Sequence, residues 1–152
     1  MPITIEVPDQ YSYVLAAATS TFFLNTIHMM RTSKFRKIAK IPYPESYATS
    51  EEVSKNPSAA KFNCAQRAHA NYTENLTPFL GALIIAGIQH PVPAAILGVV
   101  WSFSRLLYLL GYTSDAGPKG RVTGFTGSVL SDFALKAMAA YTCYKLIFDS
   151  MK

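Results

Sequence analysis

The sequence predicts an all-α integral membrane protein, a subunit folded as a four-helix bundle. Three observations predict it. Charged residues make up 15% of the 152 residues, against about a quarter in a typical soluble domain. Those few charges are segregated: residues 10–30 and 75–104 contain no Asp, Glu, Lys or Arg. The modest mean hydropathy of +0.17 then averages a polar segment with very apolar ones. A chain with 50% apolar residues is not intrinsically disordered, and a small soluble globule needs more charge to cover its surface. The length fits a single domain, residues 1–152, and no internal repeat is visible.

A spanning helix needs about 20 predominantly apolar residues, and four segments qualify. The first is 11–30, which charge does not interrupt. The second, 62–88, has a polar first half and an apolar second half from Leu76 to Ile88. Pro91 and Pro93 separate it from the third, 93–112. Gly117-Pro118 and Gly120 separate the third from the fourth, 125–148. The one sizeable polar segment is the 31–61 loop, whose Pro42, Pro44 and Pro57 predict irregular chain lying along the headgroups.

That loop sets the expected orientation. It carries Arg31, Lys34, Arg36, Lys37, Lys40, Lys55 and Lys61 against Glu45, Glu51 and Glu52, and segment 113–123 adds Lys119 and Arg121 against Asp115. Basic residues near span ends mark the cytoplasmic side, so both loops are expected there and both termini on the lumenal or outer side. The net charge of +5 is this strip. It suits anionic lipid headgroups, and nucleic acid is not an expected partner. No basic n-region precedes the first span, which is therefore expected to carry the targeting information itself. Cys64 and Cys143 fall at opposite membrane faces, too far apart to pair.

Ionisable side chains inside a bilayer are functional candidates by default. In the second segment Arg67, Asn71, Glu74 and Pro78 are spaced 4, 3 and 4, one stripe of a helix. In the third, Arg105, Tyr108 and Tyr112 form another stripe ending at the same membrane face, and Lys119 and Arg121 follow in the connection. Together they describe a cationic pocket with phenolic hydroxyls and one acid, open to the cytoplasm. Such a pocket suits a small, multiply charged anion that bears one ammonium group. The structural alternative is an interhelical ion pair of Arg67 and Glu74 with an interfacial belt of tyrosines. Asp132 and Lys136 are an i, i+4 pair that neutralises itself. His69 falls on the face opposite Arg67, towards a neighbouring subunit, while His28 and His90 sit at span ends without a signal. Asn71-Tyr72-Thr73 and Asn75-Leu76-Thr77 match the glycosylation pattern but lie within a helix, so neither is expected to be modified. No His/Cys cluster has metal-ligand spacing, so no metal is expected, and no nucleophile stands beside a base. An enzyme of this kind receives its nucleophile with the substrate.

The run Phe62-Asn63-Cys64-Ala65-Gln66-Arg67-Ala68-His69-Ala70-Asn71, followed by Glu74, resembles the second-helix signature of the MAPEG family, and within it the microsomal glutathione S-transferase type-3 branch. Tyr43-Pro44-x-x-Tyr47, His90-Pro91 and Arg105-x-x-Tyr108-x-x-Gly111-Tyr112 fit in order and spacing, so the resemblance covers about residues 10–148. It implies a homotrimer of four-span subunits in the endoplasmic reticulum or microsomal membrane, or the outer mitochondrial membrane. Glutathione would bind as co-substrate between subunits at the cytoplasmic face. Arg67, Asn71 and Glu74 match positions that hold the glutathione peptide, and Tyr108 and Tyr112 match third-helix tyrosines. Arg36 falls near a first-loop arginine that reaches a glutathione carboxylate, and His69 matches a position that touches ligand in the adjoining subunit. Asn75 stands where the leukotriene synthase branch has Tyr, so one ligand hydroxyl is missing. The thiolate-activating arginine corresponds to Arg121, with Lys119 as the alternative alignment. Arg121 and Tyr108 are thus the expected catalytic residues.

The resemblance further implies a glutathione transferase and peroxidase acting on a lipophilic electrophile or lipid hydroperoxide, including leukotriene-C-synthase-like conjugation. The family also holds a non-catalytic lipid-binding scaffold, which is the rival reading. Glutathione has two carboxylates and one ammonium, the charge pattern that the two stripes suit.

Overall fold

A computed structural model describes residues 7–150, with the side chains of 149 and 150 outside the description. The described chain folds into four long helices and one short one: α1 (Tyr11–Ala39), α2 (Ser50–Lys55), α3 (Pro57–Gln89), α4 (Pro91–Tyr112) and α5 (Val122–Ser150). A single 3₁₀ turn, Gly117–Lys119, joins α4 to α5.

The polar segment 31–61 is more helical than its prolines predict. α1 continues through it to Ala39, because no breaker intervenes and Arg36 and Lys37 sit favourably against the carbonyl end of the helix dipole. Lys40 stops it in the left-handed conformation, its N–H bonded back to the Arg36 and Lys37 carbonyls. α2 is started by a capping box in which the Thr49 hydroxyl takes the Glu52 N–H while the Glu52 carboxylate takes the Thr49 N–H. Pro57 then begins α3 at its first turn, with the Asn56 side chain accepting from the Ser58 N–H. Only the stretch between α1 and α2 is irregular.

Likewise Pro91 and Pro93 do not lengthen the break before α4. They occupy its first turn, where the missing N–H is harmless, so His90 alone separates α3 from α4. Pro78 lies inside α3 and cannot donate to the carbonyl four residues back, which is that of Glu74.

α3 and α4 pack against each other and against both α1 and α5. The core between them is aromatic at its centre: Phe79 stacks on Trp101 at 3.7 Å, and buried Tyr72 donates its hydroxyl to the Thr21 carbonyl at 2.7 Å. Small residues, among them Ala17, Ala82, Ala86, Ala94 and Ala95, complete it. Gly124 allows a close approach of α5 to α4. A Cβ there would meet the Tyr108 backbone nitrogen at 2.3 Å and the Ser104 carbonyl oxygen at 2.5 Å. The first turns of α5 therefore lie directly on the α4 segment that carries Tyr108.

The outer surface is apolar. Phe22, Phe23 and Met30 of α1, Ile96 and Phe103 of α4, and Leu130 and Phe133 of α5 are all exposed, Phe23 and Phe133 to about 70%. An apolar surface of that extent calls for lipid or protein cover. By length and composition, one described helix, Pro91–Tyr112, is apolar enough to cross a membrane. α1 is diluted by Ser, Thr and its basic end, and α3 by the polar residues of its first half.

Candidate functional site

The two predicted stripes meet. α3 presents Arg67 and Asn71, the end of α4 presents Tyr108, and the residues that open α5 close the other side: Arg121 just before the helix, then Val122 and Phe125. These six residues line a cavity of about 310 Å³. Its polar groups are two guanidiniums, an amide and a phenol, and its apolar wall is Val122 and Phe125.

Each polar side chain is held by a neighbour. Arg67 Nη1 donates to Glu74 Oε1 at 3.0 Å. Both residues are about half exposed, and they lie seven apart on one helix, so they are not the interhelical tie that the structural alternative expects. A pair this wet adds little to stability. Asn71 Oδ1 accepts from Arg105 Nη1 at 2.7 Å. Arg121 Nη1 donates to the Tyr112 hydroxyl oxygen at 2.9 Å, with the guanidinium carbon 4.8 Å from the Tyr112 ring centre. Tyr108 and Tyr112, both buried, meet edge to face at 5.6 Å. The Tyr108 ring is fixed between Tyr112 and the Arg105 guanidinium, which lies 5.8 Å from its centre.

Three predicted residues are placed elsewhere in the protomer. Arg36 is buried in α1, where Nη1 donates to the Glu45 carbonyl at 2.7 Å and to the Pro42 carbonyl at 3.3 Å. Its guanidinium lies between the Tyr43 and Phe62 rings, at 4.4 and 4.5 Å. It organises the α1–α2 connection. His69 faces α1, with Nε2 3.3 Å from Asn25 Oδ1. Lys119 is exposed on the 3₁₀ turn and does not line the cavity, whereas Arg121 does. Glu74 and Tyr112 adjoin the cavity through their partners Arg67 and Arg121.

Two contributions escaped sequence reading. The wall of Val122 and Phe125 has only the weak signal of a three-residue helical spacing directly after Arg121. The Arg105–Asn71 bond joins residues 34 apart, and their separate stripes carry no pairing information.

The cytoplasm-predicted end of the bundle is tied across helices. Arg31 Nε donates to Thr113 Oγ1 at 2.6 Å, and Lys61 Nζ donates to Asp115 Oδ1 at 2.7 Å. The Lys61 ammonium holds the Asp115 carboxyl below the usual carboxylate range. Cys64 and Cys143 are both free thiols. Among the described residues no group of three or more His, Cys, Asp or Glu is placed to hold a metal. The family model for the MAPEG family matches residues 14–141.

Proposed function

The chain belongs to the MAPEG family, whose members include glutathione transferases and peroxidases as well as non-catalytic proteins, and from that premise we propose that it is a glutathione-dependent membrane transferase and peroxidase. One observation carries this reading: a cavity whose polar groups are Arg67, Arg121, Asn71 and Tyr108, with Glu74 at its edge. Cations outnumber acids there, and the single acid pairs with a cation at the rim. A ligand end bearing a carboxylate and an ammonium can replace the Arg67–Glu74 contact with two of its own. The remaining carboxylate and thiol then fall toward Arg121 and Tyr108.

The chemistry follows from the thiol. A cysteine-type thiol is mostly protonated at neutral pH, and the thiolate is the nucleophile. Arg121 supplies a charge that no working pH removes, and the Tyr108 hydroxyl supplies a hydrogen bond. In conjugation the thiolate sulfur forms a bond to an electrophilic carbon, and the displaced or opened group takes a proton from solvent. In the peroxidase reaction two glutathione molecules supply two electrons and two protons, so that a hydroperoxide becomes an alcohol and water, and a disulfide forms. The wall of Val122 and Phe125 offers the lipophilic partner an apolar approach from the exposed side of α5.

The four long helices are proposed to cross the membrane with the cavity towards the cytoplasm. The exposed apolar residues of α1, α4 and α5 support this, as does the concentration of basic residues at the cavity end. A homotrimer in the endoplasmic reticulum or another intracellular membrane completes the proposal, as does the type-3 branch within the family. Titration calorimetry of the purified protein with glutathione tests the function. Binding below millimolar glutathione is expected. No heat at millimolar concentration would leave the non-catalytic lipid-binding scaffold as the reading.

A further inference from the structure

Arg105 is a cation that the chemistry above does not use, and it is 4% exposed. A buried guanidinium is tolerated where it is hydrogen-bonded and balanced. Arg105 has the Trp101 ring at 5.1 Å, the Tyr108 ring at 5.8 Å, the Asp132 carboxylate of α5 within electrostatic reach, and one hydrogen bond to a cavity-lining side chain, from Nη1 to Asn71 Oδ1 at 2.7 Å. Arginine has five N–H donors and no acceptor. The Asn71 atom facing it must therefore be the carbonyl oxygen, since a flipped amide would set N–H against N–H. What remains of the Asn71 side chain is its NH₂ group, on a residue that lines the cavity.

We propose that Arg105 is a positioning residue that commits Asn71 to donate, so that this part of the cavity takes a ligand group with acceptors only, a carboxylate or an amide carbonyl. The remaining polar side chains on this wall agree, because Arg67 and Arg121 are donors alone and Tyr108 has a hydroxyl proton to give. The carboxylate acceptor suited to an ammonium is at the rim, in Glu74. The cavity is thereby directional: an anionic or carbonyl portion of the ligand lies inside and its ammonium lies outside. Naming the ligand as glutathione rests on the function proposed above.

The test is a double-mutant cycle on the full-length protein in nanodiscs, with glutathione as the probe. Arg105→Met and Asn71→Ala should each raise the glutathione Kd about tenfold, the scale of one charge-linked hydrogen bond. The double variant should be no weaker than either single one. Arg105→Lys, which keeps a donor and the charge, should hold Kd within about threefold. Asn71→Asp keeps the bond to Arg105 but has no proton to give, so it should lose binding as Asn71→Ala does. Penalties that multiply to about a hundredfold, or an Asn71→Asp protein that binds like wild type, would overturn the proposal even if Arg105→Met fails to fold. If wild type itself binds no glutathione, the functional reading fails separately. The ligand-free melting cycle then decides the positioning claim: losses that simply add refute the Arg105–Asn71 bond, and non-additive losses sustain it.

Discussion

Replacing Arg121 by Ala removes the cation nearest the expected position of the sulfur and leaves Tyr108 and Asn71 in place. Its size can be worked out. One guanidinium about 4 Å from a thiolate contributes on the order of 4 kcal/mol at an effective dielectric of 20, before desolvation. Lowering a thiol pKa by two units takes about 2.7 kcal/mol, so one arginine is sufficient. A thiol with its ordinary pKa of about 8.5 is about 3% ionised at pH 7, and the same thiol lowered two units is about 75% ionised. Arg121→Ala should therefore cut the thiolate population about 25-fold and slow turnover by one to two decades. Glutathione affinity should change less, because the proposed contacts of Arg67, Asn71 and Glu74 with the peptide remain. The assay is the ultraviolet thiolate absorbance that develops on mixing enzyme with glutathione at neutral pH. A full signal from Arg121→Ala, with loss of the signal in Lys119→Ala, would refute the reasoning. The exposed Lys119 side chain, outside the cavity, makes that outcome the unexpected one.

Three further outcomes are expected. Arg67→Ala and Glu74→Gln should each weaken glutathione binding about tenfold while leaving the melting temperature nearly unchanged, because the half-exposed pair stabilises the fold little; calorimetry beside thermal melting separates the two effects. Gly124→Ala should destabilise the bundle by about 1–3 kcal/mol through overpacking against the α4 backbone at Tyr108, and turnover should fall because α5 carries the Arg121 side of the cavity; a variant with wild-type melting and turnover would disprove that close approach. The Lys61–Asp115 contact joins α3 to the α4–α5 connection, and its pH response has a definite sign. The folded-state carboxyl is held below its ordinary value, so its contribution is complete above the unfolded carboxyl pKa and disappears as pH falls through the depressed one. Asp115→Asn should accordingly flatten a small acid-side loss of stability, read by melting between neutral and acidic pH, and a steeper loss in the variant would reverse the sign.

Periodicity and charge placement located the long helices because both are properties of single segments. The charge-free stretches 10–30 and 75–104 run from the N-cap of α1 into that helix and across α3 and α4. Helix ends were less legible, since they depend on which neighbour satisfies the terminal groups. Pro57 reads as a breaker until Asn56 is seen to cap the turn that it begins. The stripe of Arg67, Asn71 and Glu74 was legible for the same reason as the helices, being a spacing within one of them. Contacts that require chain to fold back were not. Arg36 matches a ligand position by resemblance, and within the protomer the 42–45 segment returns over it so that its Nη1 meets the Pro42 and Glu45 carbonyls.

Arg36, Arg105 and Arg121, identical in type, are separated by what their neighbours leave of them. Arg36 has two carbonyls and two aromatic faces around its guanidinium, so within the protomer its charge serves the loop. Arg105 is buried, and its bond to Asn71 converts that charge into the orientation of another side chain. Arg121 donates to the Tyr112 phenol and still lines the cavity. A guanidinium has five donors. A phenol oxygen is a neutral acceptor that does not cancel the charge, so the field of Arg121 remains available to an anion in the cavity, as that of a carboxylate-paired arginine would not. Tyr112 thereby fixes the arginine in place without neutralising it, and this is the arrangement that stabilising a thiolate requires.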